Sequence, residues 1–175
     1  MRNIVVSLAL AVLFSLPALA QEGYKAEIFG GYQYTRVSPG DGFGATNLNG
    51  WNASVTGNFR SWLGVTADFS GGYQTIDGFN THMTNYLFGP TISYKFDRIK
   101  PFAHVLFGES QATASLEDLG AGNVSAFAMA FGGGVDAGVT RHLAVRLFQA
   151  DYFRTAFNSE GQNNIRLSTG LVFRF

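Results

Sequence analysis

The sequence predicts an all-β fold: an eight-stranded antiparallel up-and-down transmembrane β-barrel, after a cleaved signal peptide. Three observations predict it. Apolar and polar residues alternate with period two over eight stretches of the chain. Aromatic residues gather near the ends of the apolar faces, as membrane interfaces require. The connections alternate between short ones and longer polar ones, the asymmetry of a membrane barrel.

The first stretch, 24–37, sets Ala26, Ile28, Tyr32 and Tyr34 against Lys25, Glu27, Phe29 and Gln33. In 50–59, Trp51, Val55 and Phe59 oppose Asn52, Ser54 and Thr56. In 63–74, Leu63, Val65 and Phe69 oppose Thr66, Asp68 and Ser70. In 82–96, Tyr86, Phe88, Ile92, Tyr94 and Phe96 oppose Asn85, Leu87, Thr91 and Lys95. The pattern weakens in 101–113, where Ala103, Val105 and Phe107 oppose His104, Leu106 and Gly108. It returns in 125–139, with Phe127, Phe131 and Val135 against Ala128, Gly132 and Asp136. In 143–154 it starts with Leu143, Val145 and Leu147 against Ala144 and Arg146, then blurs at 148–151, where a bulge would fit. The last stretch, 163–175, sets Leu167, Leu171, Phe173 and Phe175 against Arg166, Ser168, Gly170 and Arg174. Segments 60–62, 97–100 and 140–142 read as tight turns; 38–49, 75–81, 114–123 and 155–162 read as longer loops.

Alternation alone does not say which face meets the outside. Long strands, aromatic ends on the apolar face, and an opposite face rich in Gly, Ser, Thr and Ala select the inverted arrangement, with apolar side chains in lipid and polar ones turned to a narrow lumen. The N-terminus supports export. Arg2 is followed by an apolar run over 4–16 and by Ala18-Leu19-Ala20, a small-x-small cleavage site that would start the mature chain at Gln21. The run is shorter than the roughly 20 residues of a membrane helix. Lys and Arg number 12 and Asp and Glu 12, so no basic footprint for nucleic acid exists. There is no cysteine, which removes disulfides and thiolate metal sites. Charged residues make up 14% and aromatics 15%, with 22 Gly for tight turns and close packing.

The terminal pattern Ser168, Gly170, Phe173, Phe175 resembles the C-terminal signal strand of bacterial outer-membrane barrels. The run Gly132-Gly133-Gly134-Val135-Asp136 followed by Leu143-Ala144-Val145-Arg146-Leu147 resembles the penultimate hairpin of outer membrane protein β-barrel domains. Over 21–175 the chain is thus similar to the small outer-membrane β-barrel family of the OmpA transmembrane-domain and OmpX type. The resemblance implies a signal peptide at 1–20, a barrel domain at 21–175, a place in the bacterial outer membrane, contact with outer-membrane lipid and lipopolysaccharide, and handling by the barrel assembly machinery. No second domain is expected after the last strand, so the cell-wall tethering of full-length OmpA proteins is not carried over. Members of the family act as structural barrels, adhesins, weak pores or lipid-modifying enzymes, so membership leaves activity open.

Charges on the lumen face are the candidates for chemistry. Lys25, Glu27, Asp68, Lys95, Asp136, Arg146, Arg166 and Arg174 fall there by parity. In a narrow lumen filled by side chains they must pair. A three-residue turn at 140–142 sets Asp136 opposite Arg146, and an ion network of these two with Glu27, Asp68, Lys95 and Arg166 is expected. His82, His104 and His142 are scattered, with no metal-ligand spacing, and no cofactor is implied. Glu109 and Ser110 are adjacent, so they point to opposite faces and do not form a deacylase-type site with His82. The reading expected is a non-enzymatic structural or surface protein with a plugged lumen. A small passive pore, an adhesin whose loop partners are unknown, and a lipid A-modifying enzyme are its alternatives.

Overall fold

The computed structural model describes residues 24–38, 46–76, 79–116, 120–157 and 160–175. The expected signal peptide at 1–20 and parts of the four longer loops lie outside these residues. Eight strands run in chain order: β1 Ala26–Ser38, β2 Thr46–Asn58, β3 Leu63–Ile76, β4 Phe79–Ser93, β5 Ile99–Leu116, β6 Gly120–Gly138, β7 Leu143–Phe157 and β8 Glu160–Arg174. Each pairs antiparallel with the next, and β8 returns to β1, closing the barrel. Closure satisfies the backbone in a solvent of acyl chains, which offers no hydrogen-bond partner to an open edge.

The alternation sorts the side chains as the sequence pattern requires. Phe88 and Phe131 face outward, 62% and 60% exposed, whereas Leu106 and Arg166 face the lumen at 0% and 1%. Tyr32, Trp51, Tyr73 and Tyr152 stand outward toward the end where β1 finishes; Phe59, Trp62, Tyr94, Phe96 and Phe175 stand outward at the end where β8 finishes. The end at which β1 begins and β8 finishes is the periplasmic one in even-stranded barrels of this kind.

The structure corrects the sequence reading in three places. First, the strands reach well into segments read as loops: β5 runs to Leu116 and β6 starts at Gly120. Gly, Ser, Thr and Asn in those segments hide the alternation without preventing pairing. The connections 77–78, 117–119 and 158–159 are shorter than the turns 59–62, 94–98 and 139–142, so the expected alternation of connection lengths holds only at 39–45. Second, β4 stops at Ser93 and β5 begins at Ile99. Phe96 and Ile99 exchange backbone hydrogen bonds of 2.7 and 2.8 Å around Asp97, whose φ of 49° is one that Asp tolerates better than most residues. Third, the irregularity in β7 lies at Leu147 and Phe148, between the pairs Asp136↔Arg146 and Val135↔Phe148. Both side chains face outward, at 53% and 54% exposure. This bulge reverses the parity of the strand beyond it, so that Gln149, Asp151 and Phe153 point inward.

The closing seam rests on two glycines. Gly31 of β1 pairs with Gly170 of β8. A Cβ on Gly31 would lie 2.0 Å from the Thr169 carbonyl oxygen, and one on Gly170 2.3 Å from that of Gly30. Only backbone movement would relieve such contacts. Gly170→Val is therefore expected to destabilise the barrel by about 1–3 kcal/mol, measured by urea unfolding in detergent. An unchanged midpoint would show that the seam has slack.

Candidate functional site

The lumen holds every buried charge among the described residues. Glu27, Asp68, Asp136 and Asp151 balance Lys100, Arg146, Arg166 and Arg174, and His104 is the remaining titratable group. They form one connected network. At the periplasmic mouth Lys100 Nζ donates to Glu27 Oε2, and Arg174 Nε donates to Glu27 Oε1 at 2.9 Å. Arg174 Nη2 lies 3.8 Å from Asp136 Oδ2. Arg146 Nε donates to Asp136 Oδ1 at 2.8 Å, and its Nη1 to Gln149 Oε1 at 2.6 Å. Gln149 Nε2 passes the link to Asp151 Oδ2 at 2.7 Å. Arg166 bridges Asp151 and Asp68, with Nε 2.8 Å from Asp151 Oδ2 and Nη1 2.7 Å from Asp68 Oδ1. His104 Nε2 sits 2.8 Å from the other Asp151 oxygen, and Asn52 Nδ2 donates to Asp68 Oδ2 at 2.8 Å.

Aromatic rings complete the plug. The Arg146 guanidinium lies between Phe29 of β1 and Phe102 of β5, its Cζ 4.2 Å from each ring centroid. In an eight-stranded cylinder these two strands are opposite, so the stack spans the lumen. Farther out, Leu87, Leu106, Ala128, Ala130 and Phe153 pack together on the β4–β7 wall, with Met83 against them. Next to the network, Thr66 Oγ1 lies 2.8 Å from Thr56 Oγ1 and 2.6 Å from Thr91 Oγ1. A cavity of about 20 Å³ remains beside Glu27, Asp68, His104 and Arg146. By the same measure a single water needs roughly 10–15 Å³.

Glycines make room for these groups. A Cβ on Gly132 would meet Asp151 Oδ1 at 2.3 Å, and one on Gly134 would meet Phe102 Cζ at 3.0 Å. Gly132 and Gly134 thus shape the lumen wall.

Of the residues the sequence singled out, Glu27, Asp68, Asp136, Arg146 and Arg166 come together, with Asp136 and Arg146 as direct cross-strand partners. Lys95 does not join them. It lies beyond the end of β4, exposed, with Nζ 5.1 Å from the Tyr24 ring centroid. Lys25 is exposed as well. The place assigned to Lys95 is held by Lys100, which opens β5 opposite Asp136. Asp151 was missed because the bulge turns it inward. Ser168 is buried and Gly170 is at the seam, while Phe173 and Phe175 face outward at the periplasmic end. Phe175 also takes part in closure: its N–H donates to the Ala26 carbonyl at 2.9 Å, and its own carbonyl accepts from Lys25 at 2.7 Å.

The other candidates stay apart. His82 is exposed and edge-on to Tyr73, His142 is exposed in a turn, Glu109 faces outward and Ser110 is buried in the lumen. Among the described residues no group of three or more His, Cys, Asp or Glu side chains is placed to hold a metal ion.

A closed eight-stranded cylinder, greasy outside and ion-paired inside, defines a membrane β-barrel. The outer membrane protein beta-barrel domain family matches residues 6–175, and the chain belongs to that family. It is therefore a bacterial outer-membrane barrel. Among solved structures it is similar to the Neisserial surface protein NspA, at TM-score 0.75 and 11% identity over 89% of this chain and 100% of that one. It is similar to Ail, the attachment invasion locus protein of Yersinia pestis, at TM-score 0.65 and 19% identity with the same coverages. The N-terminal β-barrel domain of Pseudomonas aeruginosa OprF follows at TM-score 0.58 and 11% identity, over 88% and 100%. At these identities the likeness is one of fold. A search of curated proteins finds no match.

The pairing yields a double-mutant test. Asp136→Ala and Arg146→Ala should each cost about 3–5 kcal/mol, since each strands a buried charge. The double variant should lose less than their sum by about 0.5–3 kcal/mol. Lys95→Ala should leave stability within about 0.5 kcal/mol, in contrast to Lys100→Ala. Additive losses, or equal effects of the two lysine substitutions, would contradict the network.

Proposed function

We propose that this protein is a non-enzymatic structural and surface component of the outer membrane, with a lumen closed to solutes. The observation that carries this reading is the Phe29–Arg146–Phe102 stack, embedded in a charge-balanced network that reaches from the periplasmic mouth to Arg166. A pore would require hydrated space along the axis, and the cavity beside the network admits about one water. Catalysis would require a nucleophile within hydrogen-bond reach of a base. Ser110 and Glu109 lie on opposite faces of β5, and His82 pairs with Thr113, three residues beyond Ser110 on that strand.

Export by a signal peptide at 1–20 and recognition of Ser168, Gly170, Phe173 and Phe175 by the barrel assembly machinery complete the proposal. The outward rings of Phe173 and Phe175 are compatible with such recognition. Outer-membrane lipid and lipopolysaccharide would be the partners along the aromatic outer face.

Planar-bilayer recording tests the closed lumen. The purified protein should give no stable, defined single-channel steps. Asp136→Ala combined with Arg146→Ala removes the central stack while keeping charge balanced, and it should raise the leak. Defined steps from the unaltered protein would replace this reading with a passive pore.

A further inference from the structure

On the outer wall of the barrel, near its periplasmic end, the structure has an apolar groove of about 460 Å³. Trp62, Ile92 and Tyr94 form its banks, and Pro101 and Ala103 form its floor. The floor is low because of side-chain size. In the outward-facing row, Ile92 pairs with Ala103 and Ala103 with Gly133, so a bulky residue gives way to two small ones. The two banks are fixed to each other, since the Ser93 N–H donates to the Trp62 carbonyl at 2.9 Å. The Tyr94 N–H donates to the Pro101 carbonyl at 3.0 Å, which holds Tyr94 across the start of β5.

The charge around the groove is one-sided. Trp62 belongs to the β2–β3 turn with Arg60, and Tyr94 to the β4–β5 turn with Arg98. Both arginines are exposed, and neither makes a side-chain hydrogen bond or ion pair among the described residues. Asp97, also exposed, is the acid of these two turns, leaving a net positive charge. Lys95 is engaged elsewhere, over the Tyr24 ring. An apolar groove flanked by two turns that each carry an exposed arginine suits a phospholipid: hydrocarbon in the groove, phosphate toward the turns, aromatic rings at headgroup depth.

We propose that this groove binds one anionic glycerophospholipid of the periplasmic leaflet, its acyl chain on Ala103 and Pro101 and its phosphate between Arg60 and Arg98. Cationic residues near a membrane surface favour anionic headgroups by roughly fivefold each. With Asp97 offsetting one arginine, the site prefers an anionic over a zwitterionic headgroup by about fivefold.

The two tryptophans make this measurable. Trp51 stands toward the opposite end of the barrel, so Trp51→Phe leaves Trp62 as the single reporter. The variant is reconstituted into phosphatidylethanolamine vesicles, and its fluorescence is titrated with brominated phosphatidylglycerol or brominated phosphatidylethanolamine. Quenching should give a relative association constant about fivefold higher for the glycerol lipid. Arg60→Gln with Arg98→Gln leaves Asp97 alone at the site and should reverse the ratio, to about one-fifth. Ala103→Phe, which fills the floor from the lipid side, should weaken quenching by both lipids. Heat-modifiable gel migration checks that each variant still forms a barrel, and Ala103→Ile replaces Ala103→Phe if that one does not. Equal association of the two lipids with the parent, or a preference untouched by the arginine substitutions, would overturn the proposal. So would cross-linking of Trp62 to a second copy of the chain in place of lipid.

Discussion

The absence of any hydrogen-bond partner in hydrocarbon governs this molecule. A sheet in lipid must end where it begins, so β1 and β8 must meet. Everything at the seam serves that meeting: paired glycines bring the backbones together, Glu27 and Arg174 join across it in the lumen, and Phe175 hydrogen-bonds to Ala26 at its lower end. Closure then creates an interior too narrow for bulk water, and the interior must neutralise itself. The four acids and four bases are the second consequence of the same constraint.

Most of the fold was legible because the constraint writes directly into sequence. A strand with lipid on one side and a polar lumen on the other must alternate, and from Glu27 to Arg174 the parity of nearly every described residue can be read by counting. Counting fails where the backbone changes its count. In β7 the bulge at Leu147 and Phe148 inverts the parity beyond it, so Asp151, which anchors Arg166 and His104, was not read as a lumen residue. At the β4–β5 turn, Lys95 continues the alternation of β4 by sequence, but the ladder has ended and Lys100 serves instead. The strands' outer portions were undercalled because small polar residues suit both ladder and loop. The groove was invisible for another reason: its floor is defined by side-chain size across three neighbouring strands, and alternation carries no information about size.

The network also links regions far apart in the chain. Arg166 meets Asp68, 98 residues earlier, and Arg174 meets Glu27, 147 residues earlier. Between them, Gln149 is an uncharged relay that joins the Asp136 and Asp151 clusters without adding charge. Both of its amide ends are used, so the lumen behaves as one structural unit. The Arg146 stack adds an apolar seal at the level where the two clusters join.

These long-range pairs bear on how the protein enters its membrane. Asp136 and Arg146 belong to one hairpin, and Asp151 and Arg166 to the next. Glu27 waits for β5 and β8, and Asp68 waits for β8. Hairpins inserted one at a time would carry naked carboxylates and guanidiniums into oil. The route of least cost is a concerted one, in which the nascent cylinder rounds up as it sinks and each ion crosses the bilayer already in the company of its counterion.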